Sequence, residues 1–219
     1  MTAHPWHAAV GYCHHGSVNS YWNHNTAYHR WLVTRLARHH GDVLDVGSGD
    51  GLLLERCAPV SRTVTGIDPD VSAMMVAAKR LTGVPDAVLI HDDFLAHDFG
   101  PTTFDAVIFV ASLHHMDSAA ALRKATALLR PSGVLLVVAL VKPTLGWTLL
   151  DLARWPAVRL SGSLHRESGP EVPVRLTEPT QTLAQMRATA RALLPGATIR
   201  YGLYYRCLLE WVKPDRRGT

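Results

Sequence analysis

At 219 residues, 47% hydrophobic and 18% charged, the chain is long enough to bury a sizeable core and shows no low-complexity tract or internal repeat. Its formal charge of +4 comes from Lys and Arg spread from Arg30 to Arg217, gathered only in the short tail Lys213, Arg216 and Arg217, which argues against a nucleic-acid-binding surface. The longest apolar run, Val134 to Val141, stops at Lys142 and Pro143 and is too short to span a bilayer.

Three cysteines, Cys13, Cys57 and Cys207, have no metal-type spacing. The opening Met-Thr-Ala-His-Pro-Trp lacks the basic-then-apolar pattern of a secretory leader. Together they point to reduced thiols and a cytoplasmic setting.

Residues 1–18 mix Pro, His and Gly without periodicity and read as a mobile arm. Over residues 19–40 a capping helix is predicted, because Trp22, Tyr28, Trp31, Leu32 and Leu36 recur at helical spacing. From there the pattern is strand, loop, helix, repeated. Val43 to Val46 is a strand ending in glycines, and Leu52 to Cys57 a helix; Thr63 to Ile67 is a strand, and Val71 to Leu81 a helix. Ala87 to Ile90 and Ala106 to Val110 are further strands. Asp117 opens a helix that stops at Arg130-Pro131-Ser132-Gly133, and Gly133 to Leu140 is a strand apolar on both faces, as central parallel strands are. A last helix begins near Thr182, where Thr182 and Gln185 suit a capping box. Ala197 to Leu203 and Tyr205 to Val212 then read as a hairpin. The expectation is a single α/β domain over residues 1–219: a seven-stranded, mostly parallel sheet with a C-terminal antiparallel hairpin and helices on both faces.

The most informative segment is Val43-Leu44-Asp45-Val46-Gly47-Ser48-Gly49-Asp50-Gly51. Glycines after a strand let the backbone turn tightly and approach a ligand at the start of the next helix. A dinucleotide fingerprint needs a small residue at its third position, where Leu52 stands; the spacing here is Gly-x-Gly-x-Gly, with Asp45 two residues before it. Asp68 ends the second strand about 20 residues on, where an acidic side chain accepts from ribose hydroxyls. Asp92-Asp93-Phe94 follow the third strand, where a carboxylate can accept from an adenine amino group. Three acids at successive strand ends beside such a turn point to a bound adenosine.

These segments, with Gly66-Ile67-Asp68, Phe104-Asp105, Leu113-His114-His115-Met116 and Leu129-Arg130-Pro131-Ser132-Gly133, resemble the successive signatures of class I S-adenosylmethionine (SAM)-dependent methyltransferases. The chain is similar to their ubiquinone/menaquinone-type (methyltransferase type 11) group. Asn23-His24-Asn25, Tyr28-His29 and the ending from Leu194-Pro195-Gly196-Ala197 to Lys213-Pro214 resemble an actinobacterial small-molecule branch. Two positions depart from the pattern: Ser132 stands where a second glycine is usual, and Asp92 where a glycine often precedes the adenine-site aspartate. The resemblance implies SAM as cofactor, leaving as S-adenosylhomocysteine (SAH). Asp45, Gly47, Ser48, Gly49 and Gly51 would hold its methionine end, Asp68 the ribose with Pro69 beside it, and Asp93 and Phe94 the adenine. The Val110 carbonyl would face the cofactor's amino group.

Methyl transfer from a sulfonium needs in-line positioning, plus a base where the nucleophile carries a proton. His114 and His115 follow the fourth strand at the pocket mouth and are base candidates, as is His29; a structural role fixing the loop stays open for either of the pair. Adjacent histidines cannot both face one ion, so no metal is expected. Trp22, Tyr28 and Trp147 are candidate acceptor contacts. Trp147 lies in an insertion over residues 142–177 that reads either as a substrate lid or as core. The Asn/Asp-Pro-Pro-Tyr/Phe motif of amino-methylating nucleic-acid enzymes is absent. The expected activity is methyl transfer to a C, O or N atom of a small aromatic or apolar metabolite, by a monomer or homodimer. The alternative is a SAM-binding protein without methyl transfer, a regulator or a catalyst of another reaction on the same fold.

Overall fold

The computed structural model describes residues 21–142, 179–203 and 205–215. Seven strands alternate with helices: β1 (Asp42–Val46), β2 (Thr63–Asp68), β3 (Ala87–His91), β4 (Phe104–Val110), β5 (Leu129–Leu140), β6 (Thr198–Tyr201) and β7 (Arg206–Val212). They form one sheet in the order β3-β2-β1-β4-β5-β7-β6. The first five pair in parallel, while β7 runs antiparallel to both β5 and β6. Among the described residues the α-helices are α1 (His29–Leu36), α2 (Leu52–Cys57), α3 (Val71–Arg80), α4 (Ser118–Leu128) and α5 (Leu183–Leu193).

The apolar strands divide their side chains between two cores, because successive residues of a strand point to opposite faces. Leu44 and Val46 of β1, Val107 and Phe109 of β4, and Leu135 and Val137 of β5 meet α4 and α5. Val43, Ala106, Ile108, Val134 and Leu136 meet α1 and α2 on the other face. Covered on both sides, the central strands keep no polar face, which is why they read as continuous apolar runs. Helix starts follow local chemistry. Asp70 accepts from the Ser72 and Ala73 N–H groups at α3, Asp117 from the Ala120 N–H at α4, and Thr182 with Gln185 closes a full capping box at α5.

Two segments differ from the sequence expectation. The N-terminal helix expected over residues 19–40 begins, among the described residues, only with a 3-10 turn at Thr26–Tyr28. Asn23 is the reason: its side-chain oxygen accepts from the Asn25 and Thr26 N–H groups at 2.9 and 3.0 Å, holding the chain in a turn. Arg130 to Gly133, expected as a helix stop before the strand, lie inside β5 as a bulge. Phe104 pairs with Leu129 but Ala106 pairs with Val134, so the intervening residues loop out. Ser132 sits there at φ 61°, which explains why a glycine suits that position.

The arm at residues 1–18, the start of the 19–40 segment and the insertion beyond Lys142, with Trp147, lie outside the described residues. Described residues on either side of it meet: the Lys142 N–H donates to the Gln181 carbonyl at 2.8 Å, and Lys142 bridges Thr182. Among the described residues no helix is long and apolar enough to cross a membrane, and no group of His, Cys, Asp and Glu is arranged to hold a metal.

Candidate active site

The carboxyl ends of β1, β2 and β4 open on a cavity of about 570 Å³, a volume within the usual span for small-ligand sites. Gly47 makes the turn out of β1 at φ 73°, its N–H bonded to the Ile67 carbonyl at 2.8 Å. A side chain there would collide with Ser112, whose hydroxyl donates to the Val46 carbonyl at 2.5 Å and ties the loop after β4 to the loop after β1. Ala111, just before Ser112, takes the left-handed conformation at φ 52°, a strained geometry for alanine held at the cavity wall.

Asp68 is the strut of the next loop. One carboxylate oxygen accepts from the Gly49 N–H at 2.9 Å and the other from the Asp70 N–H at 2.8 Å. Each oxygen keeps a further lone pair for a ligand hydroxyl. Asp45 is only 2% exposed, and its Oδ1 has no hydrogen-bond partner among the described residues. Burial, and then the nearby Asp68 charge, push its carboxyl up to about 7. A buried acid lacking one partner fits a cationic or donating group supplied by a ligand. Asp93 accepts from the Leu95 and Ala96 N–H groups and shapes the turn after β3. Phe94 is 3% exposed, packed edge-on against Phe109 at 5.7 Å, and still lines the cavity.

Ser48, Gly49, Pro69 and Val110 complete the cofactor side expected from the sequence, and His114 and His115 also reach the cavity wall. These two histidines sit on a 3-10 turn, Leu113–His115, with ring centroids 4.1 Å apart; His114 is half-buried and His115 exposed. His29 joins them from α1, and it is almost fully enclosed. Its Nδ1 lies 3.0 Å from the Arg56 guanidinium. Burial, and then the Arg56 charge, hold this imidazole down to about 3.

Three expected contacts are placed elsewhere. Gly51 does not line the cavity; at φ 76° it starts α2, where a side chain would press on Ala77 of α3. Tyr28 does not line it either, because its hydroxyl donates to the Leu203 carbonyl at 2.7 Å and its ring fills the space above Gly202. Trp22 stacks edge-on with His24, outside the lining. The cavity instead takes Tyr21, Asn23, Asn25 and Asp50. Asp50 is gripped by Arg80 at 2.9 Å with both side chains nearly enclosed, and it accepts from the Tyr21 hydroxyl at 3.3 Å. Burial, then the Asp50 charge, raise the Tyr21 hydroxyl well above its usual range. Asp50 was visible as the charged residue within the glycine loop; Arg80, thirty positions away, carried no sequence signal.

A methyltransferase domain model matches residues 43–133. An uncharacterised methyltransferase of Mycobacterium bovis is 37% identical over 194 residues, which is 88% of this chain and 98% of that protein. The chain belongs to the class I SAM-dependent methyltransferases. A ubiquinone biosynthesis O-methyltransferase of Thiobacillus denitrificans is 35% identical over 109 residues, 48% of this chain and 46% of that one. The fold is shared with the solved complex of DhpI with SAH, at a TM-score of 0.60 and 18% identity, covering 88% of this chain and 86% of that one. This methyltransferase therefore uses SAM, and Asp45, Asp50 and Asp68 give one side of its cavity the acidic lining that suits a cationic cofactor.

Proposed function

We propose that this enzyme methylates a small molecule, with the cofactor held along the ends of β1 to β4. Asp45 and the loop Gly47-Ser48-Gly49 take the methionine end, Asp68 and Pro69 the ribose, Asp93 and Phe94 the adenine, and the Val110 carbonyl the amino group. The observation that carries this reading is the convergence of all nine residues on one cavity, with the buried Asp45 Oδ1 lacking a partner among the described residues. SAM supplies an electrophilic methyl group when bound. The chain's own task is to align the acceptor in line with it, exclude water and, for a protonated nucleophile, remove a proton. His114 and His115 are the base candidates at the cavity wall. The acceptor is a small aromatic or apolar metabolite methylated at C, O or N.

Calorimetry tests the cofactor assignment. Asp68→Ala leaves ribose hydroxyls without their acceptor and frees two backbone N–H groups, so SAM affinity should fall by about 1–3 kcal/mol, roughly 5- to 150-fold. Unchanged affinity would remove Asp68 from the cofactor site. Replacing His114 and His115 together should lower turnover roughly 10²- to 10⁴-fold with little change in SAM affinity. Full turnover in that double variant would assign both histidines to loop structure.

A further inference from the structure

Beside its acidic residues, the same cavity is lined by two neutral donors, Asn25 and His29. His29 accepts from Arg56 at Nδ1, 3.0 Å away. A guanidinium only donates, so that nitrogen carries the lone pair, the ring is neutral, and its single proton sits on Nε2. The His29 side chain makes no other hydrogen bond among the described residues, and it lines the cavity.

Asn25, one helical turn earlier, is fixed in the same way. Its Oδ1 accepts from Arg206 twice, from Nε at 3.2 Å and from Nη2 at 2.6 Å. With the oxygen turned to the arginine, the amide nitrogen keeps both hydrogens, and no described residue accepts from it. Asn25 also lines the cavity. Arg206 is a buried residue of β7. Each donor is thus oriented by a cation behind it, and both line one cavity from either end of the 3-10 turn Thr26–Tyr28.

We propose that Asn25 and His29 form a paired donor that anchors an anionic oxygen, carboxylate or phenolate, of the methyl acceptor. The cations behind them favour negative charge, while the Asp45 and Asp68 carboxylates of the same cavity favour the positive charge of the cofactor. The inference rests on the methyltransferase reading only in naming the bound molecule as the acceptor. It also changes what was expected of His29: an imidazole whose free position is an N–H cannot take a proton from a nucleophile. His29 binds and orients.

The test uses the full chain saturated with SAH, with benzoate, 4-nitrophenolate and neutral benzyl alcohol as probes. One or both anions should bind at least about tenfold more tightly than the alcohol, and whichever binds names the source of the oxygen. Asn25→Asp keeps a partner for Arg206 but turns an acceptor to the cavity, and should weaken anion binding at least about tenfold with SAH affinity held within about twofold. His29→Gln, which carries its own acceptor and donor, should retain the preference that His29→Leu loses. Nitrogen-15 NMR of the imidazoles supplies a readout independent of any probe: His29 should remain the Nε2–H form from about pH 5 to 8. Equal binding of anion and alcohol, an unaffected Asn25→Asp, or a His29 that titrates near neutrality overturns the proposal. Failure of SAH itself to bind strikes the cofactor assignment instead.

Discussion

Asp45 is an acid kept inside a sheet, and its protonation can be read as a binding signal. With its carboxyl at about 7, raised by burial and then by Asp68, the ligand-free site holds a proton across the weakly acidic range. A cationic cofactor group prefers the ionised form, so SAM affinity should rise with pH between about 5 and 7 and then level, with proton release on binding. Calorimetry in buffers of different ionisation enthalpy measures that release, and Asp45→Asn should abolish it. The same shift acts on stability with the opposite sense: the folded state holds the proton that the unfolded chain gives up, so this group's contribution falls as pH climbs from about 4 toward 7. His29 runs the other way. Depressed to about 3, it stays neutral while the unfolded chain protonates, so its contribution is present above the ordinary histidine value and lost as pH falls from about 6.5 toward 3. Residues of this kind were unevenly legible. Asp45 and Asp68 stood at strand ends beside a glycine turn, a local pattern. Asn25 and Arg206 are 181 positions apart, and nothing local links them.

At the scale of elements, two signatures of the family turn out to hold the sheet at the end away from the cavity. Asp105 accepts from the Asp42 N–H at 2.8 Å and from Arg130 at 2.5 Å, while Arg130 and Arg62 both reach Asp42. Burial by itself would raise the Asp42 carboxyl; the Thr63 and Arg130 hydrogen bonds and the two arginine charges outweigh it and hold it below the usual value. Gly41 faces Asp105 with no room for a side chain. This cluster fixes the register of β1, β2, β4 and the β5 bulge. Arg130→Met should therefore cost about 1–2 kcal/mol in urea unfolding, discounted for a third of its side chain being exposed. Turnover per folded molecule should be unchanged, and a loss of turnover at full stability would place this cluster in the active machinery instead. Sequence reasoning recovered these elements because strand runs and capping residues are local signals. Arg130 to Gly133 do follow the end of α4 at Leu128, but their place in a bulge of β5 was not legible, because Pro and Gly read as a stop whether the chain ends a helix or bulges within a strand.

The whole sheet explains why residues that line one cavity could be grouped from sequence on its β1 to β4 side but not on the side of Asn25 and His29. Parallel strands must all deliver their loops to one edge, so a glycine turn and three acids spaced along the chain converge without further information. The side of Asn25 and His29 draws on α1, α2 and β7, elements that meet only once the sheet is closed. Closing it means pairing Leu140 with Arg206, which spans a loop of roughly 65 residues. β7 follows β6 in the chain yet lies between β5 and β6, so β6 touches the sheet through β7 alone. β6 is therefore an edge strand that can fray from β7 while β7 stays paired with β5, so exchange in Thr198–Tyr201 needs only the loss of that one pairing. Native-state hydrogen exchange should find β6 no better protected than β7. Arg206 is on β7 and holds Asn25, so an opening that frees β7 from β5 also releases Asn25, while β1 to β4 and the Gly47-Ser48-Gly49 turn can stay closed.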